Sequence, residues 1–233
     1  VADARASLAV LARNFYGDPS RSLTLVGITG TNGKTSTAYL AQRVLEAGGF
    51  PCARFGTVAH DIAGIEHPAA TTTPDALELN GLLRAALDGG QTAAVAEASS
   101  HALVGRRLDG VRLQVAAWTN LTQDHLDFHR TMDEYRDAKL AIFDHLAPDG
   151  GAALNADDPY CDDFAAAAQE RAGVQPVTYG VADNAGLRAE DIQATAAGAT
   201  FTLARGSERT PVRLSLLGAY NVHNALAALA IGF

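Results

Sequence analysis

One run, Gly27-Ile28-Thr29-Gly30-Thr31-Asn32-Gly33-Lys34-Thr35-Ser36, limits the folds open to this chain. An apolar stretch from Leu23 to Ile28 leads into it, and helical periodicity from Thr35 to Ala47 follows. A glycine-rich turn between a strand and a helix is a phosphate cradle. Glycines let the backbone fold tightly, so that several N–H groups point at one anion. The helix N-terminus adds the positive end of its dipole. Lys34 can reach the β- and γ-phosphates, and the Thr35 hydroxyl can hold Mg²⁺. The usual pattern puts the first glycine five residues before the second. Here that place is taken by Ile28, with Gly27 one residue further out.

Composition narrows the class. The 233 residues suit one large domain or two small ones, and 48% apolar content is ample for a core. A formal charge of −8 argues against nucleic acid, which calls for a basic face. Backbone dipoles and one lysine still suffice for a phosphate. Cys52 and Cys161 form no CxxC pair, so zinc and dithiol chemistry lack support, and both read as reduced thiols. No apolar run reaches membrane-spanning length and no signal-peptide core opens the chain. A cytoplasmic protein is expected.

In order, Val1 to Tyr16 reads as a helix with Leu8, Leu11 and Phe15 on one face, stopped by Gly17-Asp18-Pro19-Ser20. After the phosphate loop and its helix, Cys52–Thr57 reads as a strand and Val58–Ala69 as a hairpin turning near Ala63-Gly64. Ala70-Thr71-Thr72-Thr73-Pro74-Asp75 precedes a helix from Asp75 to Leu87; capping explains one of these threonines but hardly three. Thr92–Ala96 is a strand ending at Glu97-Ala98-Ser99-Ser100-His101. Ligands gather at the carboxyl ends of parallel strands, so Glu97 is a plausible Mg²⁺ partner, or else a strand-end acid near a helix cap.

Leu113–Trp118 is another strand, followed by a dense cluster from Thr119 to His129. His125 and His129 could share a helix face, but the zinc pattern His-Glu-x-x-His is absent. Met132–Leu146 reads as one helix, with Tyr135 and Lys139 four apart; alone, Lys139 reads as a surface lysine. Gly151–Leu154 is a strand, Asn155-Ala156-Asp157-Asp158-Pro159 a turn, Tyr160–Glu170 a helix and Pro176–Tyr179 a strand. Leu187–Leu216 reads as an antiparallel β appendage, and a last helix starts near Gly218. The whole predicts an α/β fold: a doubly wound, mostly parallel sheet with a P-loop and a small antiparallel appendage.

Several blocks, in this order, resemble the Mur ligase family of ATP-dependent amide-forming enzymes. They are Gly30-Thr31-Asn32-Gly33-Lys34-Thr35, Thr72-Thr73-Pro74, Glu97-Ala98-Ser99-Ser100-His101, Thr119-Asn120-Leu121 with Asp124-His125-Leu126-Asp127, and Gly218 to Asn224. Ser-Ser-His-Ala-Leu, then Asp-His-Leu-Asp, then Lys139 is similar to the branch that adds the third residue of the peptidoglycan stem peptide. The spacing at Ile28 is normal for the family.

The resemblance implies roles. Gly30 to Ser36 would hold ATP phosphates through Lys34, with Thr35, Glu97 and His125 on Mg²⁺. Asn120, Asn221 and Asn224 would meet the nucleotide, the last two at its adenine side. Thr72, Thr73, Ser99 and Arg107 would grip a UDP-N-acetylmuramoyl-dipeptide, to which an amino acid is joined through an acyl phosphate. Lys34, His125 and Lys139 would serve the chemistry, and Lys139 matches a lysine carbamylated in the family. Where the family often has Gln two residues before the arginine, this chain has Gly105. The resemblance further implies a linker over residues 1–22 and a central ATP-binding domain over 23–233. The N-terminal and C-terminal domains of the family would lie outside these residues, and the isolated domain would not turn over. Diaminopimelate, lysine and ornithine stay open as the added amino acid. Folylpolyglutamate- or cyanophycin-synthetase-like ligases, and a non-catalytic nucleotide module, are the rival readings.

Overall fold

The computed structural model describes residues 3–233. Eleven strands form one sheet with helices on both faces. In chain order these are α1 (Ala4–Phe15), β1 (Thr24–Thr29), α2 (Lys34–Ala47), β2 (Cys52–Phe55), β3 (Ala59–Ile62), β4 (Ile65–Pro68), α3 (Ala76–Asp88), β5 (Ala93–Glu97) and α4 (Ser100–Val104). There follow β6 (Leu113–Trp118), α5 (Leu126–His129), α6 (Met132–Leu140), β7 (Leu146–Asn155), α7 (Cys161–Ala172), β8 (Val177–Gly180), β9 (Leu187–Thr195), β10 (Gly198–Arg205), β11 (Glu208–Leu214) and α8 (Tyr220–Ile231).

The strand order is β11-β10-β9-β8-β7-β6-β1-β5-β2-β3-β4. Pairing is parallel from β2 through β5, β1, β6, β7 and β8 to β9, and antiparallel at both margins. The chain leaves β1 first toward β2 and later toward β6. The loop after β1 therefore opens at a switch point, where α/β sheets bind ligands.

Alternation along β1 divides the core. Leu25 points to a cluster with Leu79 and Leu83 of α3, Leu140 of α6 and Phe164 of α7. Val26 and Ile28 point to the other face, where Ala38 and Ala41 of α2 meet Leu226 and Ala227 of α8. Central strands buried on both sides carry long apolar runs, as in β1 and β5. Trp118 stacks on Phe164 at 4.0 Å between ring centroids, worth about 0.5–1.5 kcal/mol beyond area burial.

The antiparallel β9–β11 segment expected from sequence is present, and it extends the main sheet, because β9 pairs in parallel with β8. Three sequence expectations need correction. The helix expected over Met132–Leu146 ends at Leu140, becomes a 3₁₀ turn over Ala141–His145 and passes into β7, which begins at Leu146 rather than Gly151. Ile142 and Phe143, fully buried in that turn, explain the switch: core contacts outweigh helical periodicity. In α1 the buried residues are Ala9 and Ala12, while Leu11 and Phe15 are 65% and 78% exposed. Small alanines let α1 lie close along α3; Val1 and Ala2 of the expected helix lie outside the described residues. Finally, Asp75 caps α3, accepting from the N–H groups of Leu77 and Glu78, so none of the threonines before it serves as the cap. Cys52 is buried and Cys161 half-buried; burial pushes their thiols up to about 12 and about 11, which leaves them inert.

Candidate active site

Register lines the site residues up. Ile28 pairs with Glu97 across β1 and β5, Thr29 with Trp118 across β1 and β6, Trp118 with Leu154 across β6 and β7, and Asn155 with Tyr179 across β7 and β8. The carboxyl ends of five adjacent strands thus lie level, and the loop from Gly30 to Gly33 sits in their middle.

That loop is clasped from the β6 side. The Thr31 N–H donates to the Asn120 carbonyl at 2.9 Å, and the Asn32 N–H to Asn120 Oδ1 at 2.9 Å. Asn120 Nδ2 and the Thr119 hydroxyl both donate to the Asn32 carbonyl, at 3.0 and 2.6 Å. The Tyr135 hydroxyl reaches Thr31 Oγ1 at 3.3 Å. Two amides expected to face an anion are therefore occupied by Asn120. The cradle begins at Gly33, where φ is +88° and α2 starts without a side-chain cap. Uncapped first-turn N–H groups and a helix dipole suit phosphate.

Two lysines converge on one oxygen. Lys34 Nζ donates to the carbonyls of Gly30 and Thr31, both at 2.9 Å, and Lys139 Nζ donates to the same Gly30 carbonyl at 2.8 Å. Far from lying on the surface, Lys139 is 1% exposed, with its ammonium 4.4 Å from the centre of the Tyr135 ring. Burial, then the charge of Lys34, pushes the Lys139 amine well below its ordinary value, against the opposing pull of Asp124. Burial lowers Lys34 as well, opposed by Glu97 and Asp124.

Glu97 is 1% exposed and ends β5. The Thr35 hydroxyl donates to its Oε2 at 3.0 Å. A hydroxyl and a carboxylate side by side are hard oxygen donors of the kind Mg²⁺ takes, with phosphate and water completing its shell. Among the described residues no group of three or more His, Cys, Asp or Glu is arranged around a metal position. His125 sits at φ +51° just before α5, beside Asp124. Its ring lies 5.0 Å from His101, which packs in turn against Phe128 and His129. His129 is not a partner of His125 on one exposed face: it is buried and bonded to the Ser100 hydroxyl at 2.8 Å.

The candidate substrate residues gather on the other side of Glu97. The Thr73 hydroxyl donates to the Glu97 carbonyl at 2.8 Å and accepts from the Ser99 N–H at 3.0 Å. Arg107 Nη1 donates to the Thr73 carbonyl at 2.6 Å, and Ser99 caps α4. Thr73 is buried and committed, whereas Thr72 and Arg107 are half-exposed.

Beyond Gly33 a cleft of about 690 Å³ opens, lined by Ser36, Asn120, Asp157, Tyr220, His223 and Asn224 among others. Asn221 does not line it. Its Oδ1 accepts from Asn224 Nδ2 at 2.8 Å, so Asn221 braces Asn224. Asp157 ties His223 of α8 to the N–H groups of Val181 and Ala182 after β8. Sequence reasoning took Asn155 to Pro159 only as a turn. Its position directly after a parallel strand was the available signal.

The Mur ligase middle domain family matches residues 28–232. The chain belongs to that family. A relative from Geobacter sulfurreducens named UDP-N-acetylmuramoyl-L-alanyl-D-glutamate–2,6-diaminopimelate ligase is 42% identical over 238 residues, covering all of this chain and 46% of the relative. One of the same name from Bacillus cereus is 40% identical, over 97% of this chain and 46% of its own length. A solved structure of a ligase with that name superposes with a TM-score of 0.82 at 32% identity, covering 95% of this chain and 47% of the other. Folylpolyglutamate synthase of Mycobacterium tuberculosis, solved with ADP and AMPPCP, has a TM-score of 0.78 at 19% identity and shares the fold. This Mur ligase middle domain spans about half the length of the curated relatives it matches.

Proposed function

We propose that this chain is the ATP-binding part of an amide ligase that adds the third amino acid to UDP-N-acetylmuramoyl-L-alanyl-D-glutamate. Residues 23–233 form its central domain and residues 1–22 a linker toward an N-terminal domain. The observation that carries the reading is the meeting of Lys34, Lys139 and the Thr35–Glu97 pair around one loop at the switch point. Relatives of 40–42% identity carry diaminopimelate ligase names, which favours diaminopimelate over lysine or ornithine.

The chemistry joins a carboxylate to an amine. The carboxylate takes the γ-phosphoryl group of ATP as an acyl phosphate, and the amine then displaces phosphate. Two anions must approach, so the barrier is electrostatic. Lys34 leaves the Gly30 and Thr31 carbonyls and turns to phosphate oxygens. Gly33 and the first turn of α2 present N–H groups to the same anion. Thr35 and Glu97, and by the family resemblance His125, would hold Mg²⁺, which would supply positive charge to neutralise the transferring group. Thr72, Ser99 and Arg107 orient the carboxylate substrate. The lowered Lys139 amine can react with CO₂, and a carbamate there would replace a positive charge by a negative one. Asn224, braced by Asn221, and the cleft beyond it take the base. Loss of one electrostatic contact of this kind should cost on the order of 10²–10³ in rate.

Calorimetric titration of the chain with ATP and ADP, in Mg²⁺ and in EDTA, tests the reading. Saturable binding that Lys34→Ala abolishes is expected. Binding of UDP-muramoyl-dipeptide but not folate separates this reading from a folylpolyglutamate-type ligase. A chain that binds neither nucleotide defeats the proposal.

A further inference from the structure

Glu97 is held by a residue that no motif singles out. Thr57 follows β2 and is exposed, yet it grips both oxygens of the buried carboxylate. Its N–H donates to Oε1 at 2.9 Å, and its hydroxyl donates to Oε2 at 3.0 Å. Oε2 is the oxygen that also accepts from Thr35. The Thr72 hydroxyl stands 3.2 Å from that of Thr57, so the same residue touches the candidate substrate loop. The backbone makes room for this grip. A Cβ on Gly56 would lie 2.2 Å from Glu97 Oε1, so only glycine lets the carboxylate lie across the end of β2.

We propose that Thr57 is a positioning residue that holds the Glu97 carboxylate beside the Thr35 hydroxyl, so that the pair can take one Mg²⁺ ion with the nucleotide. The proposal rests on the nucleotide-site reading above. A glutamate side chain has several freely rotating bonds, and an unanchored carboxylate samples orientations that do not meet Thr35. The Thr57 N–H fixes Oε1, and the Thr57 hydroxyl holds Oε2 from a different chain segment than Thr35, so that the carboxylate stays in place when the Thr35 oxygen turns to a metal. Groups that orient a metal ligand typically cost 10–100-fold in metal affinity when removed, which sets the scale expected here. Because Thr57 also meets Thr72, a shift of the substrate loop reaches the acid through a single side chain.

The test titrates Mg²⁺ into the chain with ADP, reading nucleotide binding by calorimetry, and repeats it with Mn²⁺ read by electron paramagnetic resonance. Thr57→Val removes the hydroxyl at nearly constant shape. It should raise the Mg²⁺ concentration for half-maximal binding about 10-fold or more. Thr57→Ser should restore the wild-type value. ADP binding in EDTA should be the same in all three, and thermal unfolding reports whether each folds; Thr57→Ala replaces the valine variant if that one does not. An unchanged Mg²⁺ requirement in Thr57→Val overturns the proposal, as does an equal loss of ADP binding in EDTA, which marks a purely structural role. If the wild-type chain binds nucleotide with no dependence on Mg²⁺, the metal-site reading itself falls, and this inference with it.

Discussion

Replacing Gly30 by alanine probes how tightly the phosphate loop is held against β6. Gly30 has φ +144°, a conformation that residues with a side chain rarely adopt. A Cβ there would lie 1.9 Å from Thr119 Oγ1 and 3.1 Å from the Asn120 nitrogen. Two costs follow. Backbone strain of this kind is worth about 1–3 kcal/mol, and forcing a methyl into packed surroundings costs about 1–3 kcal/mol. Together they make about 2–6 kcal/mol, a large part of the roughly 5–15 kcal/mol that holds a domain folded. Thr119→Ala removes the clashing oxygen. By itself it should cost about 0.5–1.5 kcal/mol, because Asn120 still donates to the Asn32 carbonyl that loses the Thr119 hydroxyl. In the double variant the shortest contact is relieved, while the strain and the 3.1 Å approaches to Thr119 Cβ and the Asn120 nitrogen remain. It should be more stable than the two single costs imply by about 1–3 kcal/mol. Urea unfolding of the four proteins, followed by fluorescence of the single tryptophan, Trp118, measures this cycle. Additive effects within about 0.5 kcal/mol, or a Gly30→Ala cost below about 1 kcal/mol, would refute the reasoning.

Other expectations follow from the same geometry. Lys139→Met should stabilise the domain near neutral pH in CO₂-free buffer, since a buried amine with one carbonyl partner is removed. The folded value of Lys139 lies below the ordinary 10.5, so between the two the unfolded chain binds more protons and wild-type stability rises with pH. The advantage of Lys139→Met should therefore shrink as pH climbs toward 10.5; a constant gap in denaturation midpoints across that range contradicts it. Burial, His101 and the Lys139 charge depress His129, so its contribution is present above the ordinary imidazole value of 6.5 and is lost as pH falls through the folded value. His129→Gln should flatten the acid limb of the stability profile, and an unaltered limb argues otherwise. Asn120→Ala should free the Asn32 amide, costing about 1–2 kcal/mol and raising hydrogen exchange at that amide while leaving distant strands protected.

The run from Gly27 to Ser36 carried its own meaning in sequence. A strand, a glycine turn and a helix are local structures, and local preference with apolar periodicity suffices to specify them. The parallel core and the strand-end place of Glu97 followed from the same alternation. The assignment of α1's buried face failed because Ala9 and Ala12 were chosen by close packing on α3, which hydrophobicity does not report. The long helix expected through Leu146 failed because Ile142 and Phe143 enter the core where the chain turns. Neither the burial of Lys139 nor the hold of Thr57 on Glu97 could be read from spacing. Those contacts join residues 109 and 40 positions apart, and only sheet register brings them into range. What the amino-acid order alone decided was most of the strands and helices and where a glycine turn meets a helix N-terminus. The folded sheet decided which side chains share the site, because charge, desolvation and hydrogen bonding act over ångströms in space and have no counterpart in sequence distance.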